Sequence, residues 1–444
     1  MKIDAMTFSS FTPESLRKQL LSQSLLGAVW VLICMAPLTS RATETAAKVP
    51  LAKLDYRFDG RISRPVLENY MARSATVASL LHLTSDDDLR MMQNTGVKFA
   101  GRVIWMWGSE SRIDALAKKG EPFVKRIHEM DPDIVLQGAI FEIVTTDVNN
   151  IPIPASVLEE FDLKPEARNF RYEDMIYPFG HRVDHWRKGA SVPDMSRLET
   201  RMWFVYVGKR WIDMGLEAIH FGQVEIMDDR DKDHVHWRDM MARLRIYAKK
   251  HARRHMVLCD AHVPKGGIVH DGELMFDLHS FPSRPKSVKG KPYQAILEKG
   301  FSDSIYGRSV GGRTPSGWSC EALPYIVEID NFGSSDHPGQ YRESDRLHVW
   351  GWDEIGWFIK QPEAYRNEWL EYAYQWVRDT DPNGFFQLPL RRFEHYTASM
   401  TPPKGQRQEE TIKAIWAARR VKNRNETLTN HNNRSRAVGG MCNE

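Results

Sequence analysis

The sequence predicts an α/β fold, a single (β/α)8 TIM barrel with long insertions after strands 3 and 6. Three observations predict it. Short β-rich runs alternate with helical stretches, the rhythm of βαβ units around a parallel sheet. Eight such runs occur, which favours a closed barrel over a doubly wound sheet. No GxGxxG opens a helix after a strand, so the nucleotide-binding alternative lacks its fingerprint.

In order, the first run is Ala72–Leu83. A helix follows over Ser85–Thr95, where Ser85 and three Asp suit an N-terminus. Val97–Trp107 is the second run, Arg112–Met130 a helix by periodicity, and Asp133–Val144 the third run. Ile151–Pro193 is irregular and reads as an insertion, and loops of that length are more often functional than accidental. Ser196–Gly215 is a helix; the fourth run, within Leu216–Asp229, carries Glu225. A charged helix over Asp233–His251 leads to a fifth run, Met256–Val263, and a sixth, Leu274–His279. Ser283–Ser319 is a second insertion, rich in Gly, Ser and basic residues. Tyr325–Asn331 is the seventh run, Gly356–Thr380 a helix, Gly384–Leu390 the eighth run and Thr411–Arg420 a last helix.

The ends of the chain differ from this body. Arg17 and Lys18 precede Leu20–Met35, an uncharged and mostly apolar stretch, and small residues follow at Ser40 and Ala42. That is the layout of a secretory signal over residues 1–42, and the apolar stretch is short for a span of ~20 residues. A secreted or periplasmic protein with no stable membrane span after signal removal is expected. Residues 43–57 read as a linker, 58–420 as the barrel, and 421–444 as a polar, disordered tail.

Composition narrows the function. Acids and bases nearly balance at a net charge of +3, with no dominant basic stripe, so no nucleic-acid partner is expected. No CxxC or HExxH is present, and no cofactor or structural zinc is expected. Cys259 and Cys320 are the two body cysteines; the sequence leaves open whether they pair.

Active sites of such barrels lie at the C-terminal ends of the strands. The runs end at His82, Glu142, Glu225, Asp260 with His262, Asp277 with His279, Glu328 with Asp330, and Gln387. Ionisable groups at strand ends cost free energy unless paired or solvated, so their recurrence points to a site. Two carboxyls are what glycoside hydrolysis needs, one protonated and one ionised. Glu225 and Glu328, ending strands four and seven, fit those positions.

This arrangement resembles the large clan of retaining glycosidases, over roughly residues 55–392. The resemblance implies Glu225 as acid/base, Glu328 as nucleophile and a carbohydrate substrate. The clan usually has Asn before its strand-four Glu, where this chain has Val224 and, before that, Gln223. Supporting roles follow. Tyr325 would orient the nucleophile. His262 and His279, with Glu142, Asp260, Asp277 and Asp330, would bind substrate. Trp105, Trp107 and Trp318 are candidate stacking platforms. Arg308 and Arg313 would either grip an acidic glycan or stand solvated. Two alternatives remain: a metal-dependent hydrolase and a non-catalytic glycan-binding barrel. His234-Val235-His236 is the one HxH and falls in the charged helix. Sugar identity, linkage and oligomeric state are left open.

Overall fold

The computed structural model describes residues 54–331, 335–342, 349–401 and 405–418. The expected signal, most of the linker and the tail lie outside these residues. Eight parallel strands close into a ring: β1 (Ser74–Ala78), β2 (Phe99–Ile104), β3 (Val135–Ala139), β4 (Ala218–Gln223), β5 (Leu258–His262), β6 (His279–Pro282), β7 (Tyr325–Glu328) and β8 (Gly384–Arg392). Each pairs with the next, and β1 returns to β8 through Ala75 opposite Leu388, which leaves the ring no edge. The fold is therefore the predicted (β/α)8 barrel. Among the described residues no helix is long and apolar enough to cross a membrane.

Local chemistry sets the helices between strands. The helix α1 (Arg64–Met71) precedes β1 and was not foreseen. α2 (Asp86–Thr95) starts at Ser85, whose hydroxyl accepts the Asp88 N–H at 3.2 Å, and ends at Gly96 in the left-handed region, φ +71°. α3 (Ile113–Met130) carries the expected apolar stripe, with Leu116, Phe123, Val124 and Ile127 buried. The segment between β3 and β4 holds a short helix, α4 (Ala155–Glu160), then α5 (Leu198–Asp213). A single helical turn, α6 (Val224–Met227), follows β4 directly, and α7 (Val235–His251) packs on α5. The helix expected over Gly356–Thr380 is two, α8 (Glu354–Lys360) and α9 (Glu363–Thr380). Pro362 separates them, because proline has no N–H for the ladder and clashes with the preceding turn. The last helix covers residues 409–418, and 419–420 lie outside the described residues.

The sixth strand is displaced from its expected run. Leu274–His279 was read as the strand, but Glu273–Leu274 belongs to a small side sheet with Val269–His270 and Gly312–Arg313. The barrel strand starts where that run ends, at His279. Burial of Met275, Phe276 and Leu278 made the run look like a strand, and apolar periodicity alone does not separate the two. The other correction is at the base. Residues 54–57 belong to the fold: Tyr56 is buried, and the Tyr70 hydroxyl donates to its carbonyl at 2.6 Å. Leu54 and Tyr56, with Ile62, Leu67 and the strand starts Phe99, Leu258 and Ile326, form an apolar plug under the barrel.

Candidate active site

A cavity of about 750 Å³ occupies the C-terminal mouth of the barrel, and all eight strands or the residues just after them contribute to its wall. That volume is in the range of small-ligand sites, ~300–1,000 Å³. Trp105, Trp107, Phe141, Trp186, Phe281 and Phe393 give it aromatic sides. Trp186 comes from the insertion after β3. Its indole N–H donates to the Glu142 carbonyl at 2.8 Å, and its ring meets Trp107 edge to face at 4.9 Å.

Four carboxyls stand on this wall: Glu142, Glu225, Asp303 and Asp330. Glu142 follows β3 and is buried. Its two oxygens accept the backbone N–H and the side-chain amide of Gln223, both at 2.9 Å. A β-carbon at Gly222 would fall 1.9 Å from Glu142 Oε2, and Gly222 has φ +53°. Only glycine lets β4 come this close to the carboxyl. Burial pushes the Glu142 pKa above the usual glutamate range, against the opposing pull of Gln223 and Arg102.

Asp330, two residues beyond β7, is driven the other way. Burial alone would raise it, but Arg284, with His262, Arg392 and Arg102, outweighs burial and holds it below the usual aspartate range. The Arg284 guanidinium meets Asp330 at 3.3 Å, Asp303 at 2.6 Å and Glu354 at 2.9 Å. Glu354, the first residue of α8, is a staple below the wall. One oxygen accepts the Asp330 N–H (3.0 Å) and the Ser283 hydroxyl (2.9 Å), the other the Arg284 N–H (3.1 Å). It therefore joins the ends of β6 and β7 and fixes Arg284 and Asp330 together.

Glu225 lies on α6, at the rim, where Lys265 pairs with it at 3.2 Å. Glu328 does not reach the cavity. It is 2% exposed, accepts from the Thr76 hydroxyl at 2.7 Å, and is clamped by Arg102 and, at 3.4 Å, by Arg392. Both arginines line the cavity, so the carboxylate sits one side chain beneath its floor.

The other expected binding residues divide by position. His262 is on the wall and its Nε2 is 2.9 Å from Arg102. Asp260 lies deeper in the barrel, joined to Gln137 (2.5 Å) and His220 (2.8 Å). Burial raises Asp260 to about 7 and holds His220 well below the usual range. Four residues are corrected, because they stand at strand starts or at the base rather than at the mouth. Asp277 precedes β6 and accepts the Cys259 N–H at 3.0 Å. His279 opens β6 and contacts the Ser309 hydroxyl at 2.9 Å. Tyr325 opens β7 and donates to Asp381 at 2.9 Å. Trp318 donates to the Ile62 carbonyl at 3.0 Å and packs on the base plug.

Arg102, Arg284, Arg392 and Asp303 were missed. For Arg102 a signal existed, a lone charge inside the apolar run VKFAGRVIWMW. Arg308 and Arg313 are off the wall, held by the Ser304 carbonyl and by Glu273. Cys259 and Cys320 are both free thiols. His234 pairs with Asp228 at 2.8 Å and His236 with Arg201, and among the described residues no three His, Cys, Asp or Glu side chains form a metal-binding group.

No protein-family model matches the chain, and no curated protein matches it. Among solved structures it is similar to a debranching enzyme from Nostoc punctiforme, at 11% identity over 76% of this chain and 70% of that one, TM-score 0.39. It is similar to a chitinase from Cycas revoluta at 9% identity over 77% and 100%, TM-score 0.38. A third is an alpha-galactosidase from Thermus thermophilus, at 13% identity over 46% of this chain and 39% of that one, TM-score 0.26.

Proposed function

We propose that this chain is a glycoside hydrolase that cleaves a poly- or oligosaccharide in the barrel-mouth cavity. One observation carries the reading: a single aromatic-walled cavity holds two carboxyls whose pKa values are driven in opposite directions, Glu142 up and Asp330 down. Such divergence assigns acid and base roles. Glu142 is the proton donor to the leaving oxygen. Asp330, kept ionised by Arg284, acts on the anomeric side. The aromatic rings hold the sugar between them. The expected signal over residues 1–42 makes this an exported enzyme.

Stereochemistry tests the assignment. β3 and β7 lie four strands apart on an eight-stranded ring, the widest separation available. In this reading the two carboxyls hold a water between them, the inverting arrangement, which requires ~6.5–9.5 Å between them. Proton NMR of a cleaved aryl glycoside is expected to show the inverted anomer first. A second reading keeps Glu225 as acid/base and Glu328 as nucleophile, supported by Glu225 on the wall and by the Arg102 pair that holds Glu328 just below it. It predicts retention instead. No release from any aryl glycoside would sink both.

The pH profile follows from the same two groups. Glu142 must be protonated, so turnover is lost as pH rises through its raised pKa. Asp330 must be ionised, so turnover is lost as pH falls through its lowered pKa. A plateau wider than ordinary carboxyls would give is expected from kcat/KM against pH. Glu142→Gln removes the alkaline limb in whatever activity remains; an unchanged limb would assign it elsewhere.

A further inference from the structure

The segment between β3 and β4 carries an aromatic ring that the cavity does not use. Residues 177–192 fold back on themselves: the Val192 N–H donates to the Arg182 carbonyl at 3.3 Å and the Trp186 N–H to the Ala190 carbonyl at 3.2 Å. This excursion delivers Trp186 to the cavity wall. It also carries the turn Pro178–Gly180, with Phe179 at its tip. Phe179 is fully exposed, more so than any other large apolar side chain among the described residues. Its backbone is left-handed, φ +60°, as are those of Arg182 at +52° and Asp184 at +55°. A bulky side chain in that region is rare, and such strain persists only where the surrounding structure imposes it, as at ligand clamps. Here α6 imposes it. The Tyr177 hydroxyl donates to the Ile226 carbonyl at 3.1 Å and accepts the Asp229 N–H at 3.2 Å. On the other side of the tip, His181 and Arg182 both bind Asp229, at 2.8 and 2.6 Å. Glu225 and Ile226 of α6 line the cavity, so the turn is fastened to the cavity rim on both sides of Phe179. The surroundings of the ring bear on its ligand. Gly180 and His181 beside it are exposed, which leaves an apolar surface one ring wide. A protein partner needs ~800 Å² on each side, far more than one ring offers. The apolar face of a single sugar ring matches a single phenyl ring.

We infer that Phe179 is an outer subsite, a stacking platform for one sugar unit of a chain that runs out of the cavity across α6. This rests on the glycosidase reading for the ligand class, and the test separates the two. The full chain, Phe179→Ala and Phe179→Tyr are titrated by calorimetry with cellohexaose, maltohexaose, xylohexaose and chitohexaose, and with the disaccharide of each series. Turnover of aryl glycosides is measured alongside. At least one hexaose is expected to bind, and Phe179→Ala to weaken it about three- to tenfold, the worth of one aromatic stack. Phe179→Tyr keeps the ring and is expected to keep the affinity. Disaccharide binding and aryl glycoside turnover are expected to stay unchanged in both variants, because neither ligand reaches beyond the cavity. Equal hexaose affinity in Phe179→Ala overturns the inference, as does an equal loss for hexaose and disaccharide, or no hexaose binding at all. Aryl glycoside turnover with hexaose binding indifferent to Phe179 sinks this inference and leaves the hydrolase reading standing. Hexaose binding that depends on the ring, with no turnover of any glycoside, does the reverse.

Discussion

An Asp330→Asn variant is expected to lose about three orders of magnitude in kcat while remaining folded. The reasoning is electrostatic. Asp330 is a cavity carboxyl that Arg284 holds below the usual aspartate range against the burial that would raise it, and Asn keeps its shape without its charge. Arg284 keeps Asp303 and Glu354 as partners, so the fold retains a compensated cation. Steady-state kinetics on an aryl glycoside, with a thermal unfolding curve, measures both halves. Loss of less than about tenfold would remove Asp330 from the chemistry. Glu354 gives an internal comparison, because it holds Asp330 through its backbone N–H and through Arg284 without lining the cavity itself.

The second large effect is on stability. Glu328→Ala leaves Arg102 and Arg392 facing each other in the barrel with their shared carboxylate gone. Breaking a buried pair by removing one partner costs about 3–5 kcal/mol, since the remaining charge is uncompensated. Two guanidiniums here lose the same partner, so the upper part of that range is expected in denaturant unfolding. Glu328→Gln, which can still accept from Thr76, is expected to cost less. If Glu328→Gln abolishes turnover with stability unchanged, Glu328 is the nucleophile of the retaining reading after all.

The barrel was legible because its signals are local. Ser85 with its acids, the Gly96 cap and the apolar stripe of α3 each state their own structure. So did the rule that strand ends face the mouth, which holds for Glu142, Glu225, His262 and Asp330, all on the cavity wall. It failed where the ends of an apolar run and of a strand differ. Asp277 and His279 end a run but begin β6, and Tyr325 belongs to the seventh run at its wrong end. Trp318 is close to β7 in sequence, yet Ser316 and Ile62 draw its loop to the base. The arginine clamp was hidden for another reason. Arg102, Arg284 and Arg392 lie far apart in sequence, and their meaning comes from carboxylates contributed by β7 and α8. Which of two buried carboxyls lines the cavity, Asp330 and not Glu328 two positions before it, is likewise a property of the closed ring.

The staple formed by Glu354 bears on how this barrel can be rebuilt. Connections on the catalytic face of such barrels are usually treated as exchangeable cassettes, since the strands carry the framework. The segment after β3 fits that description: it delivers Trp186 to the wall and closes on itself through Val144–Thr145 and Ala190–Ser191. The segment after β7 does not. It supplies the acceptor to which the ends of β6 and β7 are tied, so grafting another connection there would also remove the anchor of Arg284 and Asp330. Ancestral or designed recombination should therefore keep β6, β7 and α8 together as one inherited block, with its crossovers elsewhere on the ring.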